Sequence, residues 1–263
     1  MIQKMVGAEK MRWNYKKWDE EDKLYSPKRR VNNKMSRKIH HIIGSFYSQK
    51  MARAVEYESL NERLFYSFLE LDSSTIRYYV QPVEIPVTAR NSTNEIKKWL
   101  HIPDVLVFRQ GQSPILYQIK FDSKQITPIF EKNNEACRRY AEKLGWIYQV
   151  IYPSQLPHLL SRNIRFLKNY LTPREYYYNW IPQVKYRLEC IGETTISNLA
   201  DSFKYQIDPL LLLPLIYFLV AHGIFHIDVN SEISRDSIVS LNELEPNIIG
   251  NLIGKDENNA QSN

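Results

Sequence analysis

The sequence predicts an α/β fold, a mixed sheet flanked by helices, with a smaller helical domain behind it. Three observations carry the prediction. Segments 101 to 108 (His-Ile-Pro-Asp-Val-Leu-Val-Phe) and 115 to 121 (Ile-Leu-Tyr-Gln-Ile-Lys-Phe) are β-rich runs joined by the polar turn Arg-Gln-Gly-Gln-Ser-Pro. Residues 146 to 152 form a short, nearly continuous apolar run, as expected of a buried parallel strand. Apolar residues at helical spacing lie on both sides of these strands.

Residues 1 to 50 are basic and aromatic, with Trp13, Tyr15, Trp18 and Tyr25 among the charges and no clear period. They read as an arm, not a core. The α/β domain is expected over residues 51 to 153. Its first helix starts at Ser59, where Leu60, Leu64, Phe65, Phe68 and Leu69 recur on one face as far as Leu71. Asp72-Ser73-Ser74 ends it, and Ile76 to Val83 reads as a strand followed by a loop through Asn91-Ser92-Thr93-Asn94. After the hairpin, a helix over Pro128 to Leu144 stops at Gly145, a plausible C′ glycine. Pro153 and Pro157 mark the next boundary, and residues 154 to 191 form a basic helical connector. Residues 192 to 254 carry a short helix (Thr194 to Phe203), a longer apolar one (Pro209 to His222) and a hairpin-like pair (Ile224 to Val229, Ile233 to Leu241). Helix, helix and β-wing outline a winged-helix-like domain. Residues 255 to 263 are a polar tail.

With 263 residues, 43% hydrophobic and 24% charged, the chain can bury a real core. The net charge of +6 is unevenly spread. Lys28-Arg29-Arg30 and Arg37-Lys38 lie in the front, whereas Asp228, Glu232, Asp236, Glu243, Glu245, Asp256 and Glu257 crowd the rear. Two cysteines, Cys137 and Cys190, exclude a disulfide framework and fit a reducing cytosol. No stretch resembles a signal peptide, and the longest apolar run falls short of the roughly 20 residues that span a bilayer. A cytoplasmic location without membrane partners is expected. Eight glycines, none clustered, exclude a phosphate-cradling loop, and the six histidines, His40 and His41 included, share no metal-binding spacing.

The hairpin carries the chemistry. Centred on Gly111, it sets Asp104 opposite Gln118, with Lys120 two residues further along the same face. Antiparallel partners stand roughly 5 Å apart, so an acid, an amide oxygen and an ammonium converge at one sheet edge. That set suits Mg²⁺ held beside a phosphate. Glu62, on the preceding helix, has two readings: a further acid of this site, or the carboxylate of a capping box in Ser59-Leu60-Asn61-Glu62.

Pro103-Asp104 with Gln118-Ile119-Lys120 resembles the PD-(D/E)xK motif of restriction-type nucleases, with an amide at the second acidic position. The stretch from Ser59 through Leu69-Glu70-Leu71-Asp72-Ser73-Ser74 and Val80-Gln81-Pro82 to Gln118-Ile119-Lys120 resembles TnsA, the endonuclease subunit of heteromeric cut-and-paste transposases. The family pattern is a helix glutamate, an aspartate, then Q-x-K, so Gln118 agrees with this narrower family.

The resemblance implies a restriction-endonuclease-like fold, with Glu62, Asp104 and Gln118 as metal ligands and Lys120 as catalytic lysine. It implies Mg²⁺, with Mn²⁺ substituting, and cleavage of the 5′ strand of DNA at transposon ends. The implied partners are a DDE transposase of the TnsB type and, through the C-terminal domain, an AAA+ regulator of the TnsC type. Between Lys204 and Arg235 there is no Lys or Arg, so that domain is expected to dock protein, not DNA. A stand-alone restriction or repair nuclease and a catalytically inactive DNA-binding adaptor are the alternatives.

Overall fold

The computed structural model describes residues 13, 16–29, 42–90, 94–122 and 127–241. His40 and His41, the basic cluster beyond Arg29 and the polar tail lie outside the described residues. The chain divides into two compact units, residues 1–62 with 74–154, and residues 63–73 with 155–263.

The first unit is built on a four-stranded mixed sheet. Its strands are β3 (Thr75–Val80), β6 (Val105–Arg109), β7 (Ile115–Ile119) and β8 (Ile147–Ile151), in the order β3-β6-β7-β8. The first two pairings are antiparallel and β7 with β8 is parallel. Every residue of β6 and β7 is buried, which explains why both read as nearly unbroken apolar runs. The turn between them uses Gly111 at φ +74°, a conformation free of strain only without a side chain. The crossover to β8 is α3 (Pro128–Lys143). The Thr127 hydroxyl accepts from the Phe130 amide at 3.2 Å, Pro128 opens the first turn, and Gly145 at φ +69° follows its end.

Three expectations change here. The last strand is parallel, but β8 stands at the sheet edge and is half-buried, with Ile147 44% exposed. The expected loop after β3 is instead a hairpin of β4 (Ile85–Arg90) and β5 (Ile96–His101), with Ile85 paired to His101. Residues 42–57, partly assigned to the arm, form a second hairpin of β1 (Gly44–Ser48) and β2 (Arg53–Tyr57).

The described part of the arm is also packed. Trp13 and Trp18 meet buried Phe108 of β6 edge-on, and Tyr25 meets it tilted, around α1 (Asp19–Leu24), at centroid distances of 5.3, 5.0 and 6.3 Å. Asp22 accepts hydrogen bonds from Arg77 and, at 2.8 Å, from the Tyr79 hydroxyl. Aromatic area and a satisfied ion pair thus hold this segment on the sheet.

In the second unit, residues 64–70 of α2 (Leu60–Leu71) are buried. It continues with α4 (His158–Leu167), α5 (Tyr177–Ile191), β9 (Thr194–Thr195), α6 (Ile196–Asp201), α7 (Pro209–Ala221), β10 (Phe225–His226) and β11 (Ile238–Leu241). The short strands form an antiparallel sheet in the order β10-β11-β9. Asp208 caps α7 by accepting from the Leu210 amide at 2.9 Å. Leu212, Leu215, Ile216 and Leu219 of that helix centre a core with Val184, Leu188, Leu199, Phe225 and Val239. The pair after α7 is shorter than its pattern predicts. Asn163 of α4 donates to the carbonyls of Val229 and Ser231 at 2.8 and 2.6 Å, and an Asp228 side-chain turn breaks the strand. Among the described residues no helix is long and apolar enough to cross a membrane.

Candidate active site

The register Val105↔Tyr117 and Leu106↔Leu116 carries Asp104 opposite Gln118, as the Gly111-centred turn predicts. The Asp104 amide donates to the Tyr117 carbonyl at 3.1 Å, and its carbonyl accepts from the Gln81 amide at 2.8 Å. Gln81 holds a left-handed φ of +48°, and its own carbonyl accepts from the Lys28 amide at 3.0 Å. The backbone at Asp104 is therefore fixed from both sides.

Its carboxylate Oδ2 accepts from the Ile119 amide at 2.6 Å and from Gln118 Nε2. Burial pushes the Asp104 carboxyl up to about 7, with the Glu62 charge adding to the rise. The Ile119 amide and the charges of Lys120 and Arg29 oppose it. Gln118 is buried, and its Oε1 lies 2.9 Å from Nε2 of His101, at the end of β5. Burial lowers the His101 pKa; the hydrogen bond with Gln118 opposes this, and the Lys120 and Arg29 charges act with burial. That direction favours the neutral ring.

Glu62 meets the geometry of a cap. Its amide donates to Ser59 Oγ at 3.1 Å, while its carboxylate accepts from the Ser59 hydroxyl at 3.0 Å and the Glu58 amide at 2.8 Å. The return bond goes one residue earlier than in the simplest capping box. Burial raises the Glu62 pKa and these bonds oppose the rise. Arg29 pairs with Glu58 just before it. Lys120 is half-buried, with Nζ 5.2 Å from the Phe130 ring centroid. Its carbonyl accepts from Asn61 Nδ2 at 3.4 Å.

Asp104 and Gln118 are thus brought into contact, Lys120 is near enough to act on Asp104 by charge, and Glu62 acts by charge from within its own cap. Among the described residues no three His, Cys, Asp or Glu side chains group to hold a metal ion. By donor type, however, Asp104 and Gln118 fit a hard divalent cation: a carboxylate oxygen and an amide oxygen. A carboxylate raised by burial and a neighbouring acid is also one that a cation relieves.

Two family models match the chain: TnsA-like endonuclease N terminal over residues 72–152, and TnsA endonuclease C terminal over residues 155–229. Together they span more than half of the 263 residues. The chain belongs to the TnsA endonuclease family. Membership carries a restriction-endonuclease-like fold, nuclease activity and the place of an endonuclease subunit among transposase proteins. The N-terminal match contains Asp104, Gln118 and Lys120, whereas Glu62 lies before its first residue. No curated protein matches the chain.

Sequence reasoning missed two residues beside this pair. His101 was read as the opening residue of the 101–108 run and given no role; the structure makes it the last residue of β5, three positions before Asp104. Arg29 was visible only as one member of a basic cluster.

Proposed function

We propose that this TnsA-family chain is a Mg²⁺-dependent DNA endonuclease that cuts the 5′ strand at transposon ends, with Mn²⁺ able to substitute. The observation that carries the reading is the Asp104–Gln118 contact at a desolvated position, with Lys120 two residues beyond on the same strand face. Asp104, Gln118 and a Glu62 released from its cap would hold the metal. The ion, when bound, supplies activation of water and neutralisation of phosphate charge.

The chain's own groups do the rest. Asp104 would offer Oδ2, oriented by the Ile119 amide, and would release its proton to solvent when holding the cation. Lys120 provides a compact positive charge for a phosphate oxygen, its stem kept on one side by Phe130. The buried strands behind the pair keep water off one face of the site.

Family membership supports a DDE transposase partner that cuts the other strand. We assign the second unit to protein docking, to an AAA+ regulator of the TnsC type. Leu210 and Leu211 at the start of α7 are 57% and 48% exposed, and Tyr205 before them is 92% exposed. No Lys or Arg stands between Lys204 and Arg235 to neutralise phosphates there.

Strand cleavage on a duplex carrying the transposon end tests the site. Asp104→Ala and Lys120→Ala are each expected to lower the rate by about 10²–10³, the loss typical of one charge-stabilising group. Full activity in Lys120→Ala would overturn the assignment.

A further inference from the structure

The side chains of Asp104, Gln118 and His101 form a line in which polarity matters. Gln118 Nε2 donates to Asp104 Oδ2, and Gln118 Oε1 lies 2.9 Å from His101 Nε2. In this arrangement the amide shows its donor end to the carboxylate, so the ring must donate from Nε2. A cation on Asp104 reverses the requirement. Gln118 would then have to turn its carbonyl oxygen toward the cation and its NH₂ end away, since hard cations select oxygen ligands. Half a turn about the terminal torsion of Gln118 exchanges the two ends without displacing the rest of the side chain. The NH₂ group then meets His101 Nε2 across the same short contact. Two N–H donors cannot face each other there, so the ring has to present a lone pair.

We propose that His101 is a positioning residue for the metal site. Its Nε2 donates to Gln118 in the cation-free protein and accepts from Gln118 once a cation is bound. The ring stays neutral throughout: one proton leaves Nε2 to solvent and one arrives at Nδ1. His101 therefore lets a buried amide serve two opposite needs with neither end of the amide left unsatisfied. The backbone is suited to the task, because the pairing of His101 with Ile85 anchors the end of β5. The inference rests on the reading of Asp104 and Gln118 as ligands.

Two measurements on the full chain test it. The first titrates Mn²⁺ into wild type, Asp104→Asn, His101→Ala and His101→Gln by calorimetry. His101→Ala is expected to bind about 10- to 100-fold more weakly, as when a residue behind a ligand is removed. His101→Gln, whose amide can also donate or accept at its tip, should stay within about threefold of wild type. The second follows the His101 ring nitrogens by long-range ¹H–¹⁵N correlation, assigned by the signal lost in His101→Gln. Adding saturating Mg²⁺ should move the ring proton from Nε2 to Nδ1. Wild-type affinity in His101→Ala, or a proton that stays on Nε2, would overturn the role of His101 while the site stands. Equal Mn²⁺ binding by wild type and Asp104→Asn, or binding by neither, would remove the metal reading and this inference with it.

Discussion

Asp22 and Asp104 belong to the same unit and are shifted in opposite directions. Burial pulls Asp22 up, but hydrogen bonds from Arg77 and Tyr79, with the Arg77 charge, outweigh it and hold its carboxyl low. Asp104 meets burial too, yet the Glu62 charge adds to the rise, and the opposing groups leave it at about 7. The first aspartate is completed by its own protein. The second is left short of positive charge. Asp22 has the environment of a structural carboxylate, and the environment of Asp104 fits the cation-holding role proposed for it.

Exchanging each for its amide separates the two cases. The largest effect falls on chemistry: Asp104→Asn should cut strand cleavage by about 10²–10³, whereas Asp22→Asn should leave it within about twofold, measured on the same duplex substrate. Comparable losses in both would erase the contrast. A smaller effect is expected in Glu62→Gln. The amide can still accept from the Glu58 N–H and face the Ser59 hydroxyl, so the melting temperature should barely move. Cleavage should drop about 100-fold if the charge is needed, and unchanged cleavage would reduce Glu62 to a helix cap.

Stability comes next. Asp22→Asn should destabilise by about 1 kcal/mol in urea titrations, a figure kept low because the pair is partly exposed. Asp104→Asn should be neutral or slightly stabilising, since it removes an acid that resists ionisation. The smallest effect is on the pH profile of the metal-free protein. A group raised from 3.8 to about 7 binds more protons when folded, so the Asp104 contribution falls as pH rises through that window. Asp22, being lowered, contributes stability above 3.8 that is lost as pH falls through its folded value. Asp104→Asn should therefore flatten the decline between about pH 4 and 7, and Asp22→Asn should flatten the loss on the acid side.

Legibility in the sequence followed the range of the forces involved. The Asp104–Gln118 register was readable because one glycine turn between two apolar strands fixes it. The Ser59–Glu62 cap was readable for the same local reason. β4 and β5 were not: Ile85 and Val87 of β4 do alternate inward, but Pro86 between them argues against a strand, and Lys97-Lys98 break the pattern of β5. Nor was the packing of Trp13, Trp18 and Tyr25 on Phe108, whose partners lie far along the chain. His101 was hidden twice, by being counted with the strand of Asp104 and by a partner that is itself an amide.

One consequence of the β6–β7 hairpin concerns chain entropy. Gln118 and Asp104 are 14 residues apart, whereas the Arg77–Asp22 pair closes 55. By loop-closure scaling the longer loop costs about 1 kcal/mol more. The two residues at the centre of the proposed site are joined by a short loop, while the segment that covers the sheet hangs on a much longer one. Loss of that cover would expose aromatic surface and soften the edge, yet leave the acid and its amide tethered face to face by the turn at Gly111.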